Sequence, residues 1–218
     1  MSSCCSVAPP NNDEPRYRVV LWIALLSNAT MFFVELAASL ISGSVALQAD
    51  ALDFLSDAAN YGITLFVLGL SLQARSYAAL FKGVTMGAFG VWVLGSALYR
   101  LATDSVPDAA VMGFVGALAL AVNIGVAVML FRFRNGDANA RSIWLCSRND
   151  AIGNVAVMLA ATGVLATSSS WPDILVAAII ATLSLSAAYQ ICRQARAELN
   201  HHHTTSQSPR PPMQMDAP

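Results

Sequence analysis

Six apolar stretches, at residues 18–41, 44–72, 78–102, 108–132, 140–168 and 172–194, each reach the roughly 20 residues that a helix needs to cross a bilayer. The breaks between them are short: Ser42-Gly43-Ser44, the Gln73–Ser76 region, Thr103–Pro107, Arg132–Asn139 and Ser168–Pro172. Such tight connections favour one compact antiparallel bundle. The composition agrees, since 56% of the residues are hydrophobic and only 11% are charged, against about a quarter charged in a soluble domain. The expected fold class is therefore all-α integral membrane, a six-transmembrane-helix bundle. A net charge of −1 leaves no basic face of the kind that neutralises phosphates, so no nucleic-acid partner is expected.

Three segments follow from this pattern: an N-terminal tail over 1–15, the six-helix transmembrane domain over 16–196, and a C-terminal tail over 197–218. The first tail is polar, with Pro9, Pro10, Asp13 and Glu14 and no apolar core. It does not read as a cleaved signal peptide, which leaves the first helix as the insertion signal. The last tail is rich in Ser, Thr, Gln and Pro and is expected to be disordered, like the first. The four cysteines, Cys4, Cys5, Cys146 and Cys192, do not form an extracellular disulfide framework. Cys146 and Cys192 are expected as reduced thiols within spans. Cys4 with Cys5, and His201-His202-His203, are weak candidates for metal capture.

Basic residues set the expected orientation. With the amino terminus inside, the inner side collects Arg16, Arg18, Arg75, Lys82, Arg132, Arg134, Arg141, Arg193, Arg196 and Arg210, and the outer side only Arg100. Both termini are then cytoplasmic. Arg148 falls within the fifth span, so either that helix extends well into the cytoplasm or Arg148 points into a wet cavity. Trp22, Trp92, Trp144 and Trp171 suit interfacial anchors. Gly83 and Gly87 form a GxxxG pair, and Gly113, Gly116, Ala117, Ala121 and Gly125 follow in the next span, which implies close helix packing within one subunit or between two.

Against this apolar background, Asp53 and Asp57 stand four residues apart in the second stretch, and Cys146 and Asp150 repeat the spacing in the fifth. A lipid-facing Asp costs ~2.5–3.5 kcal/mol, so Asp50, Asp53, Asp57 and Asp150 together would cost ~10–14 kcal/mol in hydrocarbon. They must face a protein interior or a water-filled cavity. Residues i and i+4 share one helix face, so two helices meeting there offer two ligands each, the count a tetrahedral divalent metal takes. At ~1.5 Å rise per residue, Asp53 counted from Ser44 and Asp150 counted from Arg141 both lie ~14 Å deep. Both pairs thus fall near the midplane.

The segment Ser44-Val-Ala-Leu-Gln-Ala-Asp50-Ala-Leu-Asp53-Phe-Leu-Ser-Asp57 resembles the second-helix signature of the cation diffusion facilitators, and Arg148-Asn149-Asp150-Ala-Ile-Gly-Asn154 resembles their fifth-helix signature. The resemblance spans roughly residues 16–196. It implies a proton-coupled exporter of divalent transition metals in the bacterial inner (plasma) membrane, with metal ligands at Asp53, Asp57, Cys146 and Asp150. An approximate homodimer is implied in the same way. Cys146 stands where the family usually has His or Asp. The expectation is a short member without the cytoplasmic ferredoxin-like domain that commonly follows the sixth helix, and without a histidine-rich loop between helices four and five.

Three carboxylates and one thiolate carry −4, so a bound divalent ion leaves −2 in a poorly hydrated site, where metal and protons compete for the same atoms. That competition is a simple basis for antiport. The thiolate favours Zn²⁺ and Cd²⁺, with Co²⁺ or Fe²⁺ accommodated and Mn²⁺ suited to the carboxylates. Around the quartet, Asn60, Asn149 and Asn154 either orient ligands or bond across helices. Asp50 either lines an exit path or caps polar groups, while Glu35 and Asn28 share nearly one face of the first span. No cofactor is expected. Two other readings are a metal-binding membrane regulatory subunit and a metal-dependent intramembrane hydrolase. The second lacks any HExxH in this chain. A transporter, not an enzyme, is the expectation.

Overall fold

In a computed structural model, residues 15–66, 72–103, 105–133 and 138–206 are described, with the backbone alone at 72, 75, 138–148 and 200–206. They form six helices: α1 (Pro15–Ser42), α2 (Val45–Phe66), α3 (Leu72–Thr103), α4 (Ala109–Phe131), α5 (Ala138–Thr167) and α6 (Trp171–Ser206). No strand occurs among the described residues. The sixth helix continues to Ser206, beyond the apolar stretch expected at 172–194 and the domain limit at 196. Cys4, Cys5, Arg134 and Arg210, and the side chains of Arg75, Arg141, Trp144, Cys146, Arg148 and His201 to His203, lie outside what is described.

Among the described residues, five segments suffice by length and composition to cross a membrane: Pro15–Ser42, Ser76–Thr103, Ala109–Phe131, Asn149–Thr167 and Trp171–Leu199. Among the described residues the expectation of six apolar spans is met by five, and α2, described to Phe66, is the exception. Its three carboxylates, Asp50, Asp53 and Asp57, lower its hydropathy. With 22 residues it is still ~33 Å long, enough for a ~30 Å hydrocarbon core.

Packing explains how α2 tolerates its acids. Every residue from Val45 to Leu52 is buried, and the helix touches α1, α3, α5 and α6. The other helices turn apolar side chains outward, among them Phe33, Ile41, Phe81, Phe114, Leu159 and Leu165, each more than 60% exposed. On a soluble domain so many exposed side chains would be anomalous. Here they form the lipid-facing surface of a multi-pass membrane protein, and α2 is screened from that surface. Trp22, Trp92 and Trp171 are exposed, as anchors at the interface require.

The closest helix partnerships are α1 with α2, α3 with α6 and α4 with α5. The small residues lie along two of them. A Cβ at Gly83 would come 2.7 Å from Cys192 Sγ, and one at Gly90 3.0 Å from Leu185, so the glycine face of α3 is filled by α6. Gly116 meets Met158 and Val157, and Gly113 meets Ala161, which places the α4 face against α5. The α3 face and the Gly113–Gly116 part of the α4 face are used within the chain, while Ala117, Ala121 and Gly125 are exposed; the packing these glycines of α3 and α4 permit replaces the hydrophobic driving force that lipid does not supply.

The turn between α1 and α2 is built by distant residues. Gly43 takes φ +75°, a left-handed conformation that costs glycine little, and a Cβ there would lie 2.6 Å from the Arg100 guanidinium. The open N–H groups of α2 are met by a carboxylate of α6. Asp173 accepts from Ser44 Oγ at 2.6 Å, Val45 N at 2.9 Å and Ala46 N at 3.0 Å. An N-cap supplied across 128 residues of sequence binds the start of α2 to the start of α6. A local cap adds to it, Ser44 Oγ accepting from Leu47 N at 3.1 Å, whereas α4 is capped by its own Asp108, which accepts from Ala110 N and Val111 N.

Candidate metal centre

Asp50, Asp53 and Asp57 lie on successive turns of α2 and look toward α5 and α6. Two contacts fix α2 antiparallel to α5. Asn154 Nδ2 donates to Asp50 Oδ2 at 2.6 Å, and the carboxyls of Asp57 and Asp150 meet within hydrogen-bonding reach. Asp57 of α2 and Asp150 of α5 therefore face one another across the two helices.

Each acid has its own support. Asp53 Oδ1 accepts from Ser184 Oγ of α6 at 3.2 Å. Asp57, buried, accepts from Tyr61 Oη at 3.1 Å and from the amide of Asn60. Asp53 lies close enough to Asp150 for its charge to act on it. Cys146 lies one helical turn before Asp150 on α5, and its side chain is not among those described. Among the described residues, no three His, Cys, Asp or Glu side chains are gathered tightly enough to hold a metal ion. The described carboxylates form the pair Asp57–Asp150, with Asp53 beside it.

A second polar group adjoins the first. Asn123 Nδ2 of α4 donates to Asn154 Oδ1 at 2.8 Å, so α4, α5 and α2 are linked through Asn123, Asn154 and Asp50. Glu35 of α1 is fully buried and faces Asp50 carboxyl to carboxyl, and its two oxygens meet no N–H or O–H donor. Asn28 bonds its own helix, through Ala24 O at 2.8 Å, and joins neither group.

Sequence reasoning missed three neighbours of the quartet. Tyr61 stands four residues after Asp57, the same spacing that singled out the ligands, and was legible in principle. Ser184 carried no local signal. Lys82 had been counted among the charges of the inner surface, yet it is only 6% exposed and its Nζ donates to Asn60 Oδ1. Its charge belongs to the surroundings of Asp57 and not to a membrane surface.

Comparison with known proteins bears on this arrangement. Residues 21–200 match the family described as cation efflux transmembrane domain. The cadmium, cobalt and zinc/H(+)-K(+) antiporter of Bacillus velezensis is 25% identical over 194 residues, which cover 81% of this chain and 61% of that protein. The antiporter of the same name from Bacillus subtilis is 24% identical over 85% of this chain and 64% of its own length. The metal cation efflux system protein CzcD of Cupriavidus metallidurans is 24% identical over 73% and 54% respectively. The chain thus spans about six-tenths of the length of the curated relatives it matches. With the family pattern covering most of the chain and all six helices, this protein belongs to the cation efflux family, the cation diffusion facilitators.

Proposed function

We propose that the chain exports a divalent transition metal, Zn²⁺ or Cd²⁺ before Co²⁺, Fe²⁺ or Mn²⁺, across the bacterial plasma membrane in exchange for protons. The observation that carries this reading is the meeting of Asp57 and Asp150 on two antiparallel helices of a membrane bundle, with Asp53 beside them. Asp53, Asp57 and Asp150, with Cys146 one turn away on α5, make the ligand set. The names of the two Bacillus relatives support zinc, cadmium and proton coupling. Both termini are taken as cytoplasmic, on the distribution of Arg and Lys.

Carboxylates and thiolate must shed protons to bind metal. Metal entering from the cytoplasm then displaces protons, and protons from the outer side displace metal. Apparent affinity therefore falls as pH falls, because protons hold the ligands at low pH.

The test is Cd²⁺ and Zn²⁺ flux into proteoliposomes under an imposed pH gradient, with lumenal pH recorded in the same trace. Metal uptake with proton counter-movement is expected, and both are lost in Asp57→Ala. Metal binding without flux under either polarity of gradient identifies a binding subunit instead.

A further inference from the structure

A lysine inside a membrane bundle is costly unless it is paired, so the partners of Lys82 bear on its role. It projects from α3 into the bundle and gives its Nζ proton to Asn60 Oδ1. That bond orients the Asn60 amide, whose N–H₂ faces Asp57. Lys82, Asn60 and Asp57 are thus linked from ammonium through amide to carboxylate, and the ammonium field reaches Asp57.

We propose that Lys82 is a tethered counter-cation of the transport site, steadying the carboxylate of Asp57 through Asn60 when no metal is bound and weakening metal binding enough for the cargo to leave. The inference rests on the proposed site at Asp57. Three carboxylates and a thiolate around one divalent ion make a strongly attracting set, and a carrier must bind well enough to load and weakly enough to release. A fixed positive charge beside one ligand works against that attraction in a low-dielectric surrounding. It does so without occupying a coordination position, because Asn60 keeps the ammonium one amide away. Lys82 is accordingly a positioning residue, acting on the metal through its field and through Asn60.

The test uses the full chain in detergent, titrated with Cd²⁺ by calorimetry, in native form and as Asp57→Ala, Lys82→Met, Lys82→Gln and Lys82→Arg. Native binding that disappears in Asp57→Ala establishes the site. Against that background, Lys82→Met and Lys82→Gln are expected to bind Cd²⁺ on the order of tenfold more tightly, while Lys82→Arg stays within about twofold of native. Damage to the fold weakens binding, so a gain in affinity cannot come from a merely structural role. In proteoliposomes the same two neutral variants should show a lower KM together with a lower kcat, as release slows. Unchanged or weaker binding in both Lys82→Met and Lys82→Gln, with the native and Asp57→Ala results as expected, overturns the role of Lys82 alone. Loss of the difference between native and Asp57→Ala overturns the site, and the proposal with it.

Discussion

Asp57 has the fullest set of partners of the proposed ligands, and its hydrogen bond from Tyr61 is open to a clean test. Tyr61→Phe keeps the buried ring, which packs with Tyr17, Leu21 and Leu130, and removes the hydroxyl that donates to Asp57 Oδ2. Loss of a partner that orients a metal ligand typically costs about tenfold or more in affinity. Cd²⁺ titration of Tyr61→Phe should show that loss at unchanged thermal stability, and native affinity would separate Tyr61 from the site. Cys146 is tested by the choice of ion: Cys146→Ser should weaken Cd²⁺ more than Mn²⁺, because a thiolate favours the softer ion. Equal losses would leave Cys146 no selective role. That Asp57 and Asp150 face each other, with Asp53 near, was legible in the sequence because intramembrane acids at helical spacing have few innocent explanations. Lys82 was not, since a lysine near the end of an apolar stretch reads as a surface charge until α3 is seen to carry it against Asn60.

At the scale of the helices, the start of α2 depends on a residue that no local pattern reveals. Helix caps are ordinarily found within a few positions of the helix they serve, as Asp108 is for α4 and as Ser44 Oγ, accepting from Leu47 N, is in part for α2. Asp173 instead closes three bonds onto Ser44, Val45 and Ala46 from the first turn of α6. Asp173→Ala should lower stability by about 2 kcal/mol or more, the loss of a cap combined with buried donors left unmet. Asp173→Asn, which retains an acceptor, should lose less. Thermal unfolding in detergent checks this, and an unchanged midpoint in Asp173→Ala would show that water takes over the three donors. Helix number and approximate limits were legible because apolar length is a strong signal. The central place of α2 was visible only indirectly, through the cost of its acids, and the end of α6 was missed because charged and polar residues after Arg196 obscure a helix that runs on to Ser206.

Across the whole molecule, the bundle divides into three close pairs, α1–α2, α3–α6 and α4–α5, and the proposed site lies where α2 of one pair meets α5 of another. Gly83, Gly87 and Gly90 of α3, and Gly113 and Gly116 of α4, are spent inside two of these pairs, whereas Ala117, Ala121 and Gly125 leave an exposed small-residue stripe on α4. If access to the site alternates by rocking of packed units, the pairs should move as units, and contacts within a pair should survive the cycle. Gly83 and Cys192 offer a direct test, because a Cβ at position 83 points at Cys192 Sγ from 2.7 Å. In Gly83→Cys, mild oxidation should join the two thiols within one chain and fasten α3 to α6. Metal flux through the cross-linked protein is expected to stay within about threefold of the same protein reduced, since the closest packing in a pair must persist as the pair moves. Flux abolished by oxidation and restored by reductant would place the moving boundary between α3 and α6. The site would then be exposed by separating these two helices, not by displacing them together.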